Sequence, residues 1–273
     1  MMDIKKIIER WNQPAQTIRT KTKAPLGAVW YEGPSLYDGK QVRVVVNQLN
    51  GSSNSKTGMA NVSVLPMGKP SQALREGRDH SVCGDCKLRG TACYVNLGRM
   101  GFDTTADAID RGRYEYDPEA AIKLLEQGEG PVRFGAYGNM SAVPFEVTES
   151  ILEVVGHRGW TMYVSDWRDC DQRFREFAMA SCHTVEEAIE ARDMGWRFFL
   201  AIPDESLPKA SEQLESRKIK WSPCPNSQDS NIKCAACKLC DGAADDDDAR
   251  ASIINKVHGT SATRKHYRLA VLN

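Results

Sequence analysis

Short apolar runs alternate with longer amphipathic stretches along the second half of the chain. "PVRFGAY" (131–137) is β-rich, and "PFEVTESILEVVGHRG" (144–159) then carries apolar residues at helical spacing up to a glycine stop. "WTMYVS" and "EFAMAS" read as the next strands. In "TVEEAIEARDMG", Thr184 and Glu187 form a capping box and Gly195 ends the helix. "RFFLAIP", a helical "SLPKASEQLES" and "KIKW" complete about five strands with helical or loop crossovers. Such alternation predicts an α/β fold with a parallel sheet, either a barrel-like arc or an open doubly wound sheet. The arc, a partial or irregular TIM-like (β/α) barrel carrying cysteine clusters, is the architecture expected here.

Upstream, "KQVRVVVNQ" and "ANVSVLP" predict two further strands, joined by the polar loop "LNGSSNSKTGM". "DPEAAIKLLEQGEG" predicts a short helix with Asp117 as cap, Pro118 at its first position and Gly128 past its end. Residues 1–130 thus form an N-terminal region with two strands, a first cysteine cluster and short helices. Residues 131–273 form a β/α region ending in a second cysteine segment, and the two read as one integrated domain.

Apolar content of 41%, charged content of 26% and a formal charge of zero describe a globular protein. Neutrality removes the simplest argument for nucleic acid without excluding a local basic face. No long apolar run is present, and "MMDIKKIIERWNQ" has charges through any signal core, so no membrane partner and a cytoplasmic location are expected.

Nine cysteines in a cytoplasmic chain argue for metal over disulfides. "CGDCKLRGTAC" supplies Cys83, Cys86 and Cys93; "CPNSQDSNIKCAACKLCDG" supplies Cys224, Cys234, Cys237 and Cys240. Thiols two residues apart can turn onto one ion through a tight loop, and zinc, as one or two ions, is the expected cofactor. Two partitions of the ligands are open. In one, Cys234, Cys237 and Cys240 close a tetrahedron with His258, leaving Cys83, Cys86, Cys93 and Cys224 as a second set. In the other, all four C-terminal cysteines hold one iron–sulfur cluster. Cys170 and Cys182 read as buried small hydrophobes.

Parallel α/β folds collect chemistry where strands end at their carboxyl edge. That rule selects Gly135, Gly138 and Asn139 after the first strand of the second half, Asp166 after the next, and then Ser181 and Asp204. The glycines flanking Tyr137 suit close backbone approach to a ligand. Asp166 beside Trp167 could attack a flat substrate stacked on the ring. The last strand runs into Cys224, which would set the C-terminal metal segment beside the same edge. "RTKTK" (19–23) and "RKHYR" (264–268) are candidate phosphate contacts, the second with an interleaved tyrosine. The "DDDD" run (245–248) reads as a solvated loop.

The ordered set "NSKTG", "CGDCKLRGTACY", "FGAYGN", "MAS", "CP" followed by "CAACKLCDG", and "HG" resembles a family of cysteine-rich proteins found mainly in bacteriophage and plasmid genomes. That group is in turn similar to the guanine transglycosylases, whose relatives acting on DNA exchange guanine for a 7-deazaguanine. The resemblance implies a host-cytoplasm enzyme with DNA and a 7-deazaguanine base as partners. It implies that one aspartate attacks the sugar carbon and a second carboxylate serves as general acid/base, roles for which Asp166 and Asp204 are the candidates, and that Tyr137 or Trp167 could sandwich the extruded base. Two other classes stand beside it: a metal-stapled nucleic-acid-binding protein without catalysis, and an iron–sulfur enzyme.

Overall fold

The computed structural model describes residues 27–47, 57–90, 92–97, 100–245, 248–257 and 261–272, with backbone only for 261–263 and 272. "RTKTK", most of the "LNGSSNSKTGM" loop, His258 and residues 246–247 lie outside the described residues.

Ten strands are described: β1 (Gly27–Pro34), β2 (Gln41–Asn47), β3 (Ala60–Pro66), β4 (Val132–Phe134), β5 (Trp160–Thr161), β6 (Tyr163–Val164), β7 (Met179–Cys182), β8 (Phe198–Ile202), β9 (Trp221–Pro223) and β10 (Ser252–Lys256). They build two five-stranded sheets, ordered β1-β2-β3-β4-β5 and β6-β7-β8-β10-β9. β1, β2 and β3 run antiparallel as a meander, while every pairing from β3 onward is parallel. The β3–β4 ladder spans the 130/131 division, so both regions of the chain share one sheet.

Four of the five strands expected in the second half are present, the fifth begins only at the last residue of "KIKW" and runs on to Pro223, and the fold is mixed α/β. Two features differ from expectation. β1 and β10 add strands where no pattern was read, and β10 inserts between β8 and β9. The strand "WTMYVS" is divided: its first half pairs with β4 and its second with β7. At the hand-over Met162 donates its N–H to the Cys240 carbonyl at 3.0 Å and accepts from the Met179 N–H at 2.9 Å. Among the described residues no pairing joins one sheet to the other or β1 to β9, so no closed barrel is formed.

The ladders fix two faces, because partner residues in parallel strands point the same way and neighbours alternate. On one face of the second sheet Val164, Ala180, Cys182, Phe198, Leu200 and Ile202 are buried. Helices Val185–Asp193 and Leu207–Ser216 contribute Ala188, Ala191, Ala210 and Leu214 to the same core. On the other face Tyr163, Ser181, Phe199 and Ala201 are only half-buried. The expected caps form: the Asp117 carboxylate accepts from Ala120 N–H and the Thr184 hydroxyl from Glu187 N–H.

One buried charge network fixes the chain beyond the last cysteine. Arg197, buried at the start of β8, donates to Asp241, to the Gly242 carbonyl and to the Ala251 carbonyl at 2.8–3.0 Å. Arg250 in turn grips Asp241 and Asp248. Asp241, Gly242, Asp248 and Ala251 are thus tied to Arg197 and Arg250, and of the acidic run Asp248 is buried while Asp245 is exposed. No helix among the described residues is long and apolar enough to cross a membrane.

Candidate functional site

Asp166 follows β6 at the carboxyl edge, and two distant segments converge on it. Asn139 Nδ2 donates to its Oδ1 at 2.6 Å and the Ser141 hydroxyl donates to the same oxygen at 2.5 Å. Tyr37, from the turn between β1 and β2, places its hydroxyl 2.9 Å from Ser141 Oγ and accepts from Asn139 Nδ2 at 3.0 Å. A serine hydroxyl has one hydrogen, and that of Ser141 points at Asp166, so Tyr37 donates to Ser141. The Tyr37 hydroxyl thus connects to Asp166 through Ser141 and also lies within hydrogen-bond reach of the carboxylate itself. Burial, and then the Asp166 charge, hold the Tyr37 hydroxyl protonated well above the usual phenol range.

Backbone shape explains why Asn139 reaches that position. Gly138 adopts φ +73°, and a Cβ there would stand 2.4 Å from the Val64 carbonyl oxygen. The Tyr137 carbonyl accepts from Val64 N–H at 2.9 Å, and Asn139 N–H donates to the Val82 carbonyl at 2.7 Å. The turn after β4 is thus seated against β3 and the helix His80–Cys83, with the Asn139 amide aimed at Asp166. Gly135, at φ +63°, closes the other side of the same turn.

The thiols form two groups. Cys83, Cys86 and Cys93 lie within electrostatic reach of one another. The Ser165 hydroxyl donates toward Cys86 and accepts from Asn139 Nδ2 at 2.9 Å, which sets the group against the Asp166 network. Burial raises all three thiols above their ordinary range. Cys224, Cys234, Cys237 and Cys240 form the second group. Burial pushes the Cys240 thiol up to about 12, opposed by a hydrogen bond from Tyr163. Cys224 lies within electrostatic reach of Cys234 and Cys240. Cys224 leaves the carboxyl end of β9 as expected, but Ala235 N–H donates to the Thr57 carbonyl ahead of β3. The segment therefore crosses to the amino end of the first sheet. The thiols converge without describing a finished coordination sphere: no three His, Cys, Asp or Glu side chains among the described residues stand ready-made around one ion position.

Several expected roles are not met. Trp167 is 1% exposed, and the Arg168 guanidinium covers its ring at 4.0 Å, so no flat substrate can stack there. Tyr137 is 5% exposed, packs on Phe102 at 5.3 Å and turns its hydroxyl toward Cys83, so it cannot sandwich an extruded base. Asp204 is exposed and pairs with Lys256 at 2.7 Å, beside a pocket of ≈ 290 Å³ that Arg264 and Arg268 also line. It makes no contact with Asp166 among the described interactions. In "RKHYR" the tyrosine, Tyr267, is buried, bonded to the Ala201 carbonyl and to His183, and Arg268 pairs with Glu205. Ser181 is half-buried on the Tyr163 face, apart from the Asp166 network. Cys182 is fully buried, as a small hydrophobe would be, while Cys170 is half-buried with its thiol raised by burial and by the nearby Asp166 charge.

Tyr37, Ser141 and Ser165 are site residues that the sequence reading did not find. Their partners lie 25 to 104 residues away, and no local pattern marks them. No protein-family model matches the chain, and no curated protein or solved structure matches it.

Proposed function

We propose that the protein is an enzyme of glycosyl transfer that replaces guanine in DNA by a 7-deazaguanine base, working at Asp166. The observation that carries the catalytic part is the pair of donors, Asn139 and Ser141, on one Asp166 oxygen. They orient the carboxylate, as a nucleophile requires, with the Tyr37 hydroxyl beside it as a further hydrogen-bond partner. In the first step a carboxylate oxygen of Asp166 bonds to the anomeric carbon, the carbon–nitrogen bond to guanine breaks, and the base leaves with a proton. In the second, a ring nitrogen of the 7-deazaguanine loses its proton and displaces the carboxylate. Tyr37, protonated and beside Asp166, lends the proton to the leaving base and recovers it from the entering one, a role assigned to it because Asp204 makes no contact with Asp166 among the described interactions. Reading the strand arc as a partial (β/α) barrel supports this placement, since barrels carry their chemistry at the carboxyl edge. DNA and the base are the substrates that the family resemblance implies.

The test is base exchange with the full chain, double-stranded DNA and labelled 7-deazaguanine. Label entering DNA with wild type and not with folded Asp166→Asn supports the reading. Absence of incorporation across many sequence contexts rejects it.

A further inference from the structure

Two neighbouring strands of the second sheet send the chain in different directions at their carboxyl ends. β8 passes through Pro203 into the helix Leu207–Ser216, which adds Ala210 and Leu214 to the core. β10 leads to the helix Ser261–Leu272, which is anchored over the ends of β7 and β8 by Tyr267, bonded to the Ala201 carbonyl and to His183. The strands themselves stay paired to the end, with Lys256 opposite Ile202 and the Val257 N–H donating to the Ile202 carbonyl at 2.9 Å. Diverging connections from adjacent parallel strands leave a crevice outside their carboxyl ends, the position at which open α/β sheets take ligands. Here the crevice is the pocket of ≈ 290 Å³, and its charged lining is Asp204, Glu205, Lys256, Arg264 and Arg268.

The cations converge from two elements. Lys256 is the last residue of β10, and Arg264 and Arg268, one turn apart, project from one face of their helix. Asp204 pairs with Lys256 at 2.7 Å, and Glu205 pairs with Arg268. Both carboxylate side chains are more than half exposed, at 70% and 59%, so each pair contributes little and is exchanged at small cost. A phosphate group has enough acceptor oxygens to take bonds from a guanidinium fork and an ammonium at once, which neither carboxylate of the lining does. The volume stands at the lower limit of small-molecule pockets, about 300 Å³, and suits a phosphate with its adjoining sugar rather than a dinucleotide.

We propose that this pocket binds a phosphate group, with Lys256, Arg264 and Arg268 as donors and Asp204 and Glu205 as built-in competitors that the phosphate displaces. Its source, a backbone phosphate of DNA, rests on the base-exchange reading. Along the carboxyl edge the pocket lies two to three strand spacings from β6, where Asp166 follows, or about 10–14 Å. At a rise of ~3.4 Å per nucleotide, that is the length of a few nucleotides, so the pocket holds the strand flanking the exchanged base.

The full chain is titrated with a fluorescent DNA duplex and, in a second arm, with inorganic phosphate followed by phosphorus NMR. Lys256→Gln and Arg268→Gln should each weaken duplex binding roughly eightfold at about 0.1 M salt and flatten the salt slope by about 0.9, the share of one phosphate contact. Glu205→Gln removes a competitor and should tighten both ligands, by up to about fivefold. That gain separates a phosphate site from ion pairs that only hold the helix in place. Unchanged or weaker binding in Glu205→Gln, or unaltered affinity and slope in Lys256→Gln and Arg268→Gln, would overturn the site. Changes confined to the inorganic phosphate arm would keep the phosphate site and overturn DNA as its source. Affinities that move as expected in a protein without base exchange would sink the Asp166 reading and keep the pocket, whereas exchange with unmoved affinities would sink the pocket alone.

Discussion

Asn139 Nδ2 lies 2.6 Å from Asp166 Oδ1, and the two residues follow strands of different sheets, β4 of the first and β6 of the second. Asn139 has two amide hydrogens and three acceptors in range, Tyr37, Ser165 and Asp166. It is therefore the residue that ties the phenol, the carboxylate and, through Ser165, the first thiol group into one unit.

Removing that tie should cost rate rather than fold. A hydrogen bond to a charged group contributes roughly 1.5–3 kcal/mol, which corresponds to about a 10- to 150-fold change in rate. Asn139→Ala and Ser141→Ala should each lower the base-exchange rate within that range, with urea midpoints close to wild type. The double variant should lose less than the product of the two, since both donors serve one oxygen. Single-turnover kinetics with each variant checks this, and full activity in Asn139→Ala would remove the carboxylate from its proposed role.

Gly138→Ala should act on stability. The left-handed backbone costs a side-chain-bearing residue about 1–2 kcal/mol, and overpacking adds roughly 1–3 kcal/mol. Because the obstructing atom is the Val64 backbone oxygen, 2.4 Å from the new Cβ, no side-chain rotation relieves it. Chemical denaturation should show a loss of about 2–5 kcal/mol, and Gly39→Ala, at φ +73° with nothing within 4 Å, serves as the control for the backbone term alone.

How far these features could be read from sequence depends on the range of the forces involved. The strands "RFFLAIP" and "ANVSVLP" and the Thr184 capping box were legible because alternation and capping act within a few residues. Asp166 was legible because the carboxyl-edge rule needs only strand ends. β10 was not, because "SIINK" is short and gains its strand character from insertion between β8 and β9. Trp167 failed as a stacking platform because Arg168, held by Glu190, covers it, and such a contact leaves no periodic trace. Tyr37 was invisible for the same reason: its partners are set by tertiary convergence.

The Asp248–Arg250 pair should shape acid stability. Arg250 donates to Asp248 through Nη2 at 2.6 Å, and the Ala244 and Arg250 backbone N–H groups add two further bonds. Chiefly through Arg250, these hold the Asp248 carboxyl far below the usual range. An unfolded aspartate titrates near pH ~3.9, so the contribution is complete above that pH and fades as the pH falls toward the depressed folded value. Urea midpoints of wild type should drop steeply below about pH 4, whereas Asp248→Asn should start lower at neutral pH and decline less. Parallel curves for the two proteins would remove this pair from the acid limb.

Lys87 offers a way to loosen the first thiol loop without touching sulfur. It sits between Cys86 and Cys93, and its Nζ reaches Glu187 Oε1 at 2.5 Å, on the helix after β7. Glu187 is buried and its other oxygen accepts from the His183 N–H at 2.7 Å, so the anchor is rigid on the sheet side. The lysine itself is half exposed, which limits such a pair to about 1 kcal/mol, roughly a fivefold effect on an opening equilibrium. Lys87→Ala should therefore speed alkylation of the Cys83, Cys86 and Cys93 thiols, read peptide by peptide, about fivefold. Alkylation of Cys224, Cys234, Cys237 and Cys240 should stay at its wild-type rate, because no contact joins Lys87 to that segment among the described interactions. Equal acceleration of both groups would mean that Lys87 supports the fold as a whole and not the loop, and an unchanged rate in the first group would mean that the Glu187 contact does not hold the loop in place.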